Sequence, residues 1–275
     1  GFGGHSSQIA KLLTSGHLTC IDQDSNAIAH LNNLFKNNKN VTVVKDNFEN
    51  IDNIITQPVD GIIMDLGVSS LMFDDPQRGF SYSLNGPLDM RMDQTNQLSA
   101  QYIVNKYTRA QLIDIFKKYT DETKYAKVAD AIIKYREAKP IETTIELANI
   151  IADCFPGSLK RKHPAKVYFQ AIRIEVNNEL EVLEKAISKA CFKLKDKGRL
   201  EIITFHSLED RIVKNFFRKL CEIKDLYSKD IPLTKMSKPE FKLITKKPII
   251  PKQEEIENNR RSHSAKLRII QRIMR

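Results

Sequence analysis

Three short apolar runs each close on an aspartate: Leu18–Ile21 before Asp22, Val41–Val44 before Asp46, and Val59–Met64 before Asp65. Apolar runs this short between polar stretches read as buried strands. Between the first two, Ser25 to Asn37 carries Ile28, Leu31, Leu34 and Phe35 at helical spacing, with Ser25 placed as the cap. Strands alternating with helices predict parallel βαβ units, in which ligands bind outside the carboxyl ends of the strands. Asp22, Asp46 and Asp65 therefore fall where such a ligand would sit.

Ahead of the first run, Gly1-Phe-Gly-Gly-His-Ser6 is a glycine-rich turn leading into Gln8–Leu13, a short helix for which Ser6 or Ser7 is the expected cap. Glycines let a backbone approach a ligand closely, and a carboxylate at the next strand end accepts from ribose hydroxyls. The pattern suits a nicotinamide cofactor, adenosylmethionine, or a turn that is only structural. A third glycine is missing and the polar His5-Ser6 pair stands in the turn, which argues against a dehydrogenase. The chain begins with Gly inside this motif, so the sequence predicts that a leading segment and a first, central strand precede it.

The pattern changes after Asp93. Residues 109–119, 122–138 and 144–155 show helical spacing with no strand between them, as in Leu112, Ile115, Phe116 and Tyr119. A long helix then carries Phe169, Ile172, Val176, Leu180, Leu183 and Ile187 in one stripe, with Gly198 expected to stop it before a strand at 199–205. The expected organisation is α/β with a helical insertion: residues 1–95 and 167–275 form the core and 96–166 the inserted all-helical, substrate-recognising domain. Residues from about 225 to 260 read as a long excursion before an amphipathic stretch, Ser264 to Ile273.

The formal charge is +10, and residues 211–275 hold 18 of the 44 Lys and Arg against 7 of the 34 acidic residues. A terminal surplus of this kind suits a polyanionic partner, because phosphate contacts release condensed counterions, and equally suits a solvated surface. The four cysteines are far apart with no Cys-x-x-Cys pair, so neither a disulfide framework nor a zinc site is expected, and a reducing, cytoplasmic compartment fits. Charge interrupts every apolar run well short of the roughly 20 residues of a membrane span.

Three polar clusters stand out. Arg78 to Asp93 interleaves Arg78, Asp89, Arg91 and Asp93 with Phe80, Tyr82 and Met90, which suits either a charged planar substrate or a salt-bridged loop. Gln170, Arg173 and Asn177 share one helix face. Phe205-His-Ser-Leu-Glu-Asp-Arg211 follows a strand and opens a helix, placing His206 and Ser207 at the carboxyl end of the sheet as site residues or as caps.

Together with Asp60-Gly-Ile-Ile-Met-Asp-Leu-Gly-Val-Ser-Ser70, Pro87-Leu-Asp-Met-Arg-Met-Asp93, His163-Pro164, Phe169-Gln-Ala-Ile-Arg-Ile174 and Ser264-Ala-Lys-Leu-Arg268, these stretches resemble the ribosomal RNA small-subunit methyltransferase H (MraW) family over nearly the whole chain. The resemblance implies a class I, Rossmann-like methyltransferase dependent on S-adenosyl-L-methionine, with an inserted helical domain, that methylates N4 of a cytidine in the decoding centre of the small ribosomal subunit. Its partner would be small-subunit ribosomal RNA or the assembled subunit, with no membrane and no metal required. By position, the cofactor contacts would be Gly3, Gly4, His5, Asp22, Phe48 and Asp65. Phe48 would offer an apolar surface to the adenine, and Asp22 would take the ribose. One further contact is not carried over: the family has Gln in a Ser-Ser-Pro-Gln-Leu-Asp stretch where this chain has Ser69-Ser-Leu-Met-Phe-Asp74, so Met72 replaces an amide.

The N4 lone pair of cytosine is delocalised into the ring, so the enzyme must hold N4 in line with the sulfonium methyl and accept a hydrogen bond from its N–H. Asp65 and Ser69 are the candidates for that corner. Arg78, Arg91, Arg173, His206 and Arg211 are expected on the RNA side, with the target base unstacked. A DNA amino-methyltransferase of the same fold would carry an [Asp/Asn/Ser]-Pro-Pro-[Tyr/Phe] loop where Asp65-Leu-Gly-Val-Ser-Ser70 stands. An inert ribosome-binding factor is the alternative from another class.

Overall fold

The computed structural model describes residues 1–156, 163–222 and 240–274. Helix α1 (Gly4–Leu12) opens at Gly3, whose φ of 82° is left-handed; Ser6 and Ser7 lie inside the helix and do not cap it. A Cβ on Gly3 would come within 2.8 Å of a Leu34 methyl and 2.9 Å of a Leu31 methyl, so a side chain there would strain the left-handed backbone and push these two leucine ends aside. Strand β1 (Leu18–Asp22) leads to α2 (Ser25–Leu34), and the cap is Asp24, one residue earlier than expected, accepting from the Asn26 amide at 3.3 Å. Strand β2 (Val41–Lys45) pairs parallel with β1, from Leu18 opposite Val41 to Asp22 opposite Lys45. Cys20, Leu31 and Phe35 form a small core with Ala10, Leu18, Val41 and Val43.

A 3-10 turn at Phe48–Asn50 precedes α3 (Ile51–Ile54) and β3 (Val59–Asp65). Then come α4 (Ser70–Asp74), α5 (Ala100–Lys106), α6 (Arg109–Tyr119), α7 (Tyr125–Ala138), α8 (Thr144–Asp153) and α9 (Ala165–Asn177). Capping boxes fix two of these starts, Thr108 with Gln111 at α6 and Thr143 with Glu146 at α8. Their apolar faces meet around Phe116 and Tyr168, whose rings sit edge to face at 5.0 Å. Helix α5 leaves no mark in the sequence pattern, because it spans only two turns and has too few periodic positions to register.

The expected long helix is two. Asn178 takes a left-handed conformation, φ 49°, and ends α9, after which α10 runs Glu179–Phe192. Gly198 is not the stop: α10 ends before it, and Gly198 lies within β4 (Leu194–Thr204), where a Cβ would meet the Lys195 carbonyl oxygen at 2.9 Å. The β3–β4 pairing shifts register there, from Val59 opposite Leu194 to Gly61 opposite Arg199.

Helix α11 (Ser207–Cys221), β5 (Phe241–Leu243), α12 (Gln253–Asn258) and β6 (Lys266–Arg272) complete the described chain. The amphipathic stretch Ser264 to Ile273 is thus largely a strand, antiparallel to β4, and the sheet order is β3-β4-β6-β5. Of the expected excursion, residues 225–239 lie outside the described residues, whereas 240–260 contain β5 and α12.

The chain divides into two units, residues 1–45 with 68–179, and residues 46–67 with 180–275. The first contains β1, β2 and the helices α4 to α9; the second is built on the four-stranded sheet. Parallel pairs β1–β2 and β3–β4 with intervening helices make the chain α/β, as expected. Among the described residues no helix is long and apolar enough to cross a membrane.

Candidate functional site

In the first unit, the glycine turn and the end of β1 come together. Asp22, with a side chain 15% exposed, accepts from the Asp24 amide at 2.9 Å through Oδ1, and the Gly1 amino group donates to Oδ2. Gly4 and His5 form the exposed first turn of α1, whose N-terminal amides lack acceptors within the helix. Helix amides beside a fixed carboxylate suit a ligand that carries both a carboxylate and a ribose.

In the second unit, Asp46 accepts from the Asn47 amide at 2.7 Å and the Asn50 side chain at 2.8 Å, holding the turn that presents the half-buried Phe48. Asp65 is exposed at the last position of β3, opposite Ile203 of β4. Ser69, which belongs to the first unit, is the N-cap of α4 and accepts from the Met72 amide at 3.2 Å. Met72 is buried, so the position of the family glutamine is taken by a core side chain.

The basic residues expected on the RNA side fare differently. Arg78 is buried, donating to Asp24 at 3.0 Å and to the Arg91 and Met92 carbonyls, so it secures the loop and is not exposed to a large ligand. Arg91 donates to both Asp89 oxygens, at 2.9 and 2.7 Å, and to the Asn96 carbonyl; the Asp89 hydrogen bonds raise its pKa above the usual arginine value. Arg173 clasps Glu179 at 2.7 and 2.8 Å, and Asn177 of the same helix face bonds the backbone of Met90 and Met92. This face therefore ties down the 78–93 loop. His206 is the N-cap of α11, in a capping box with Glu209. Arg211 is exposed on α11.

Sequence reasoning passed over an open cavity of about 330 Å³ at the start of α11, lined by Phe205, His206, Ser207 and residues of the 250–266 segment. Two stretches signalled it in part: Phe205-His-Ser-Leu-Glu-Asp-Arg211, expected at the carboxyl end of the sheet, and Ser264-Ala-Lys-Leu-Arg268, which had carried the resemblance without a role.

The decisive comparison is with protein families: the model described as the MraW methylase family matches residues 1–273. The chain belongs to the MraW methylase family. Among its relatives, the ribosomal RNA small subunit methyltransferase H of Ureaplasma parvum serovar 3 is 49% identical over 276 residues, covering 98% of this chain and 88% of the relative. The protein of the same name from Caldicellulosiruptor saccharolyticus is 47% identical, covering 99% and 91%, and that from Limosilactobacillus fermentum 45% identical, covering 99% and 90%. Within this MraW methylase, the glycine turn and Asp22 belong to the first unit, and Asp65 ends β3 in the second.

Proposed function

We propose that this chain is an S-adenosyl-L-methionine-dependent methyltransferase of small-subunit ribosomal RNA, and that it methylates N4 of a cytidine in the decoding centre. The observation that carries this reading is the near full-length match to a methylase family whose relatives are named for that RNA. The glycine turn, in which Gly1 meets Asp22 and the left-handed Gly3 opens α1, supports it.

Gly3, Gly4 and His5 would receive the cofactor's amino-acid end, Asp22 its ribose hydroxyls, and Phe48 its adenine, with Asp65 at the end of β3. The cofactor supplies an electrophilic methyl on a sulfonium. Transfer to N4 would break the carbon–sulfur bond and release S-adenosylhomocysteine, and the surplus proton on nitrogen would pass to water or a carboxylate. Asp65 and Ser69 accept from N4–H as positive charge develops on nitrogen. The helical segment 96–166, with the exposed Arg211 and the half-buried Arg91 and His206, is assigned to RNA recognition.

The test is transfer of labelled methyl from adenosylmethionine to small-subunit RNA, assembled small subunits and DNA, followed by nucleoside analysis. Label in N4-methylcytidine from RNA or the subunit supports the reading. Label only in DNA, or no cofactor binding at all, replaces it with a DNA methyltransferase or an inert ribosome-binding factor. Asp22→Ala is expected to weaken adenosylmethionine binding by roughly ten- to a hundredfold, the worth of a hydrogen-bonded charged acceptor.

A further inference from the structure

We infer that the cavity at the start of α11 holds one unstacked RNA nucleotide, the neighbour of the nucleotide that is methylated. This rests on the RNA-methylation reading. The cavity volume, about 330 Å³, lies at the lower end of the range of roughly 300–1,000 Å³ typical of small-ligand sites. That is room for a single nucleotide unit.

Its lining has the two parts a nucleotide needs. Phe205, Ile250 and Pro251 supply an apolar wall, while His206, His263 and Lys266 supply donors. Unstacked bases pack on aromatic and imidazole rings, and phosphates take helix N-termini and ammonium groups.

His206 points to a missing ligand. Its side chain is 8% exposed, and Nε2 is buried without a hydrogen-bond partner among the described residues, although Glu209 Oε1 lies 3.1 Å away. The 3.1 Å contact with Glu209 is therefore an approach without hydrogen-bond alignment. A buried polar atom left unmatched costs about 1–3 kcal/mol, which a ligand acceptor would relieve.

The Asp210 carboxylate is shared. Asp210 is held by Arg268 at 2.7 and 3.1 Å, and Lys266 stands 3.6 Å from the same carboxylate, so two cations share one anion. The first turn of α11 adds the Ser207 and Leu208 amides, which have no acceptor within the helix.

Topology places the occupant beside the target. Asp65 pairs with Ile203 across parallel strands β3 and β4, and His206 follows three residues later at the same edge of the sheet. Adjacent strands are only about 4.8 Å apart. A chain whose target base reaches Asp65 would pass this cavity with its next nucleotide.

Uridine 5′-monophosphate, uridine and inorganic phosphate titrated calorimetrically into the full chain provide the test. The parent is expected to bind the monophosphate more tightly than either uridine or phosphate. Ala265→Phe, which fills the cavity, and Ile250→Asp, which sets a negative charge at its mouth, should each weaken the monophosphate by about tenfold or more. Adenosylmethionine affinity and the Tm should stay unchanged in at least one of them. No monophosphate binding by the parent, affinity within about twofold of the parent in a folded variant, or phosphate binding as tightly as the monophosphate overturns the proposal. Methyl transfer is scored separately. Transfer to RNA with variants that leave monophosphate binding intact removes the subsite and keeps the methyltransferase; monophosphate binding lost in the variants, with no transfer to any RNA, removes the methyltransferase and keeps the subsite.

Discussion

Arg78 and Asp24 form a buried ion pair, Nη1 to Oδ1 at 3.0 Å, with side chains only 4% and 3% exposed. The same guanidinium donates from Nη2 to the carbonyls of Arg91 at 2.9 Å and Met92 at 3.1 Å. Asp24 meanwhile caps α2, so one pair of charges joins the loop after β3 to the turn after β1. Asp22, two residues away, is held through the Asp24 amide.

Removing one partner of this pair strands the other charge. Asp24→Ala is expected to cost about 3–5 kcal/mol of stability, including about 1 kcal/mol for the lost cap. Paired with Arg78→Met, it should cost clearly less than the two single changes summed. Urea unfolding of the three variants measures this, and additive losses would show that the pair is not coupled.

Gly3→Ala places a methyl against Leu31 and Leu34 at a residue with φ 82°. The expected loss is about 1–3 kcal/mol, with weaker adenosylmethionine binding because the turn must shift. Thermal melting and cofactor titration check it; a variant as stable as the parent would mean the turn relaxes freely.

Glu146 in the α8 capping box has a pKa lowered to about 2, first by its hydrogen bond to Lys139 and then by the backbone amides of residues 142 and 143, against a smaller desolvation effect. Its folded value lies below its unfolded value, so the stabilisation is complete above about pH 4.5 and fades as pH falls toward 2. Glu146→Gln should therefore be less stable than the parent at neutral pH, and the difference should close between those limits. A gap that is constant with pH would refute the charge assignment.

Asp65→Asn is expected to lower kcat roughly a hundredfold or more while leaving KM for RNA nearly unchanged, as loss of an acceptor used at the transition state does. Ser69→Ala should cost about 1 kcal/mol of stability through the α4 cap and also lower kcat. Full kcat in Ser69→Ala would leave Ser69 a cap alone.

The strands of the α/β fold were legible because a strand needs only a short apolar run and a carboxylate to end it; β1, β2 and β3 lie within a residue of where the runs placed them. The break at Asn178 was not legible. The apolar stripe continues through it, and only the residue's left-handed backbone separates α9 from α10.

By itself the sequence determined the α/β class, the glycine turn with Asp22, and membership of the methylase family, since these depend on residue type and spacing along the chain. The tertiary structure decided what each charged side chain is used for. Arg78, Arg91 and Arg173 look alike in sequence, yet Arg78 meets the distant Asp24 that folding brings to it, Arg91 and Arg173 close on the nearby Asp89 and Glu179, and Arg211 meets solvent. The cavity at α11 likewise required β4, α12 and β6 to converge from positions some sixty residues apart. The physical reason is that pairing and enclosure are properties of distance in space, and a linear pattern records only distance along the chain.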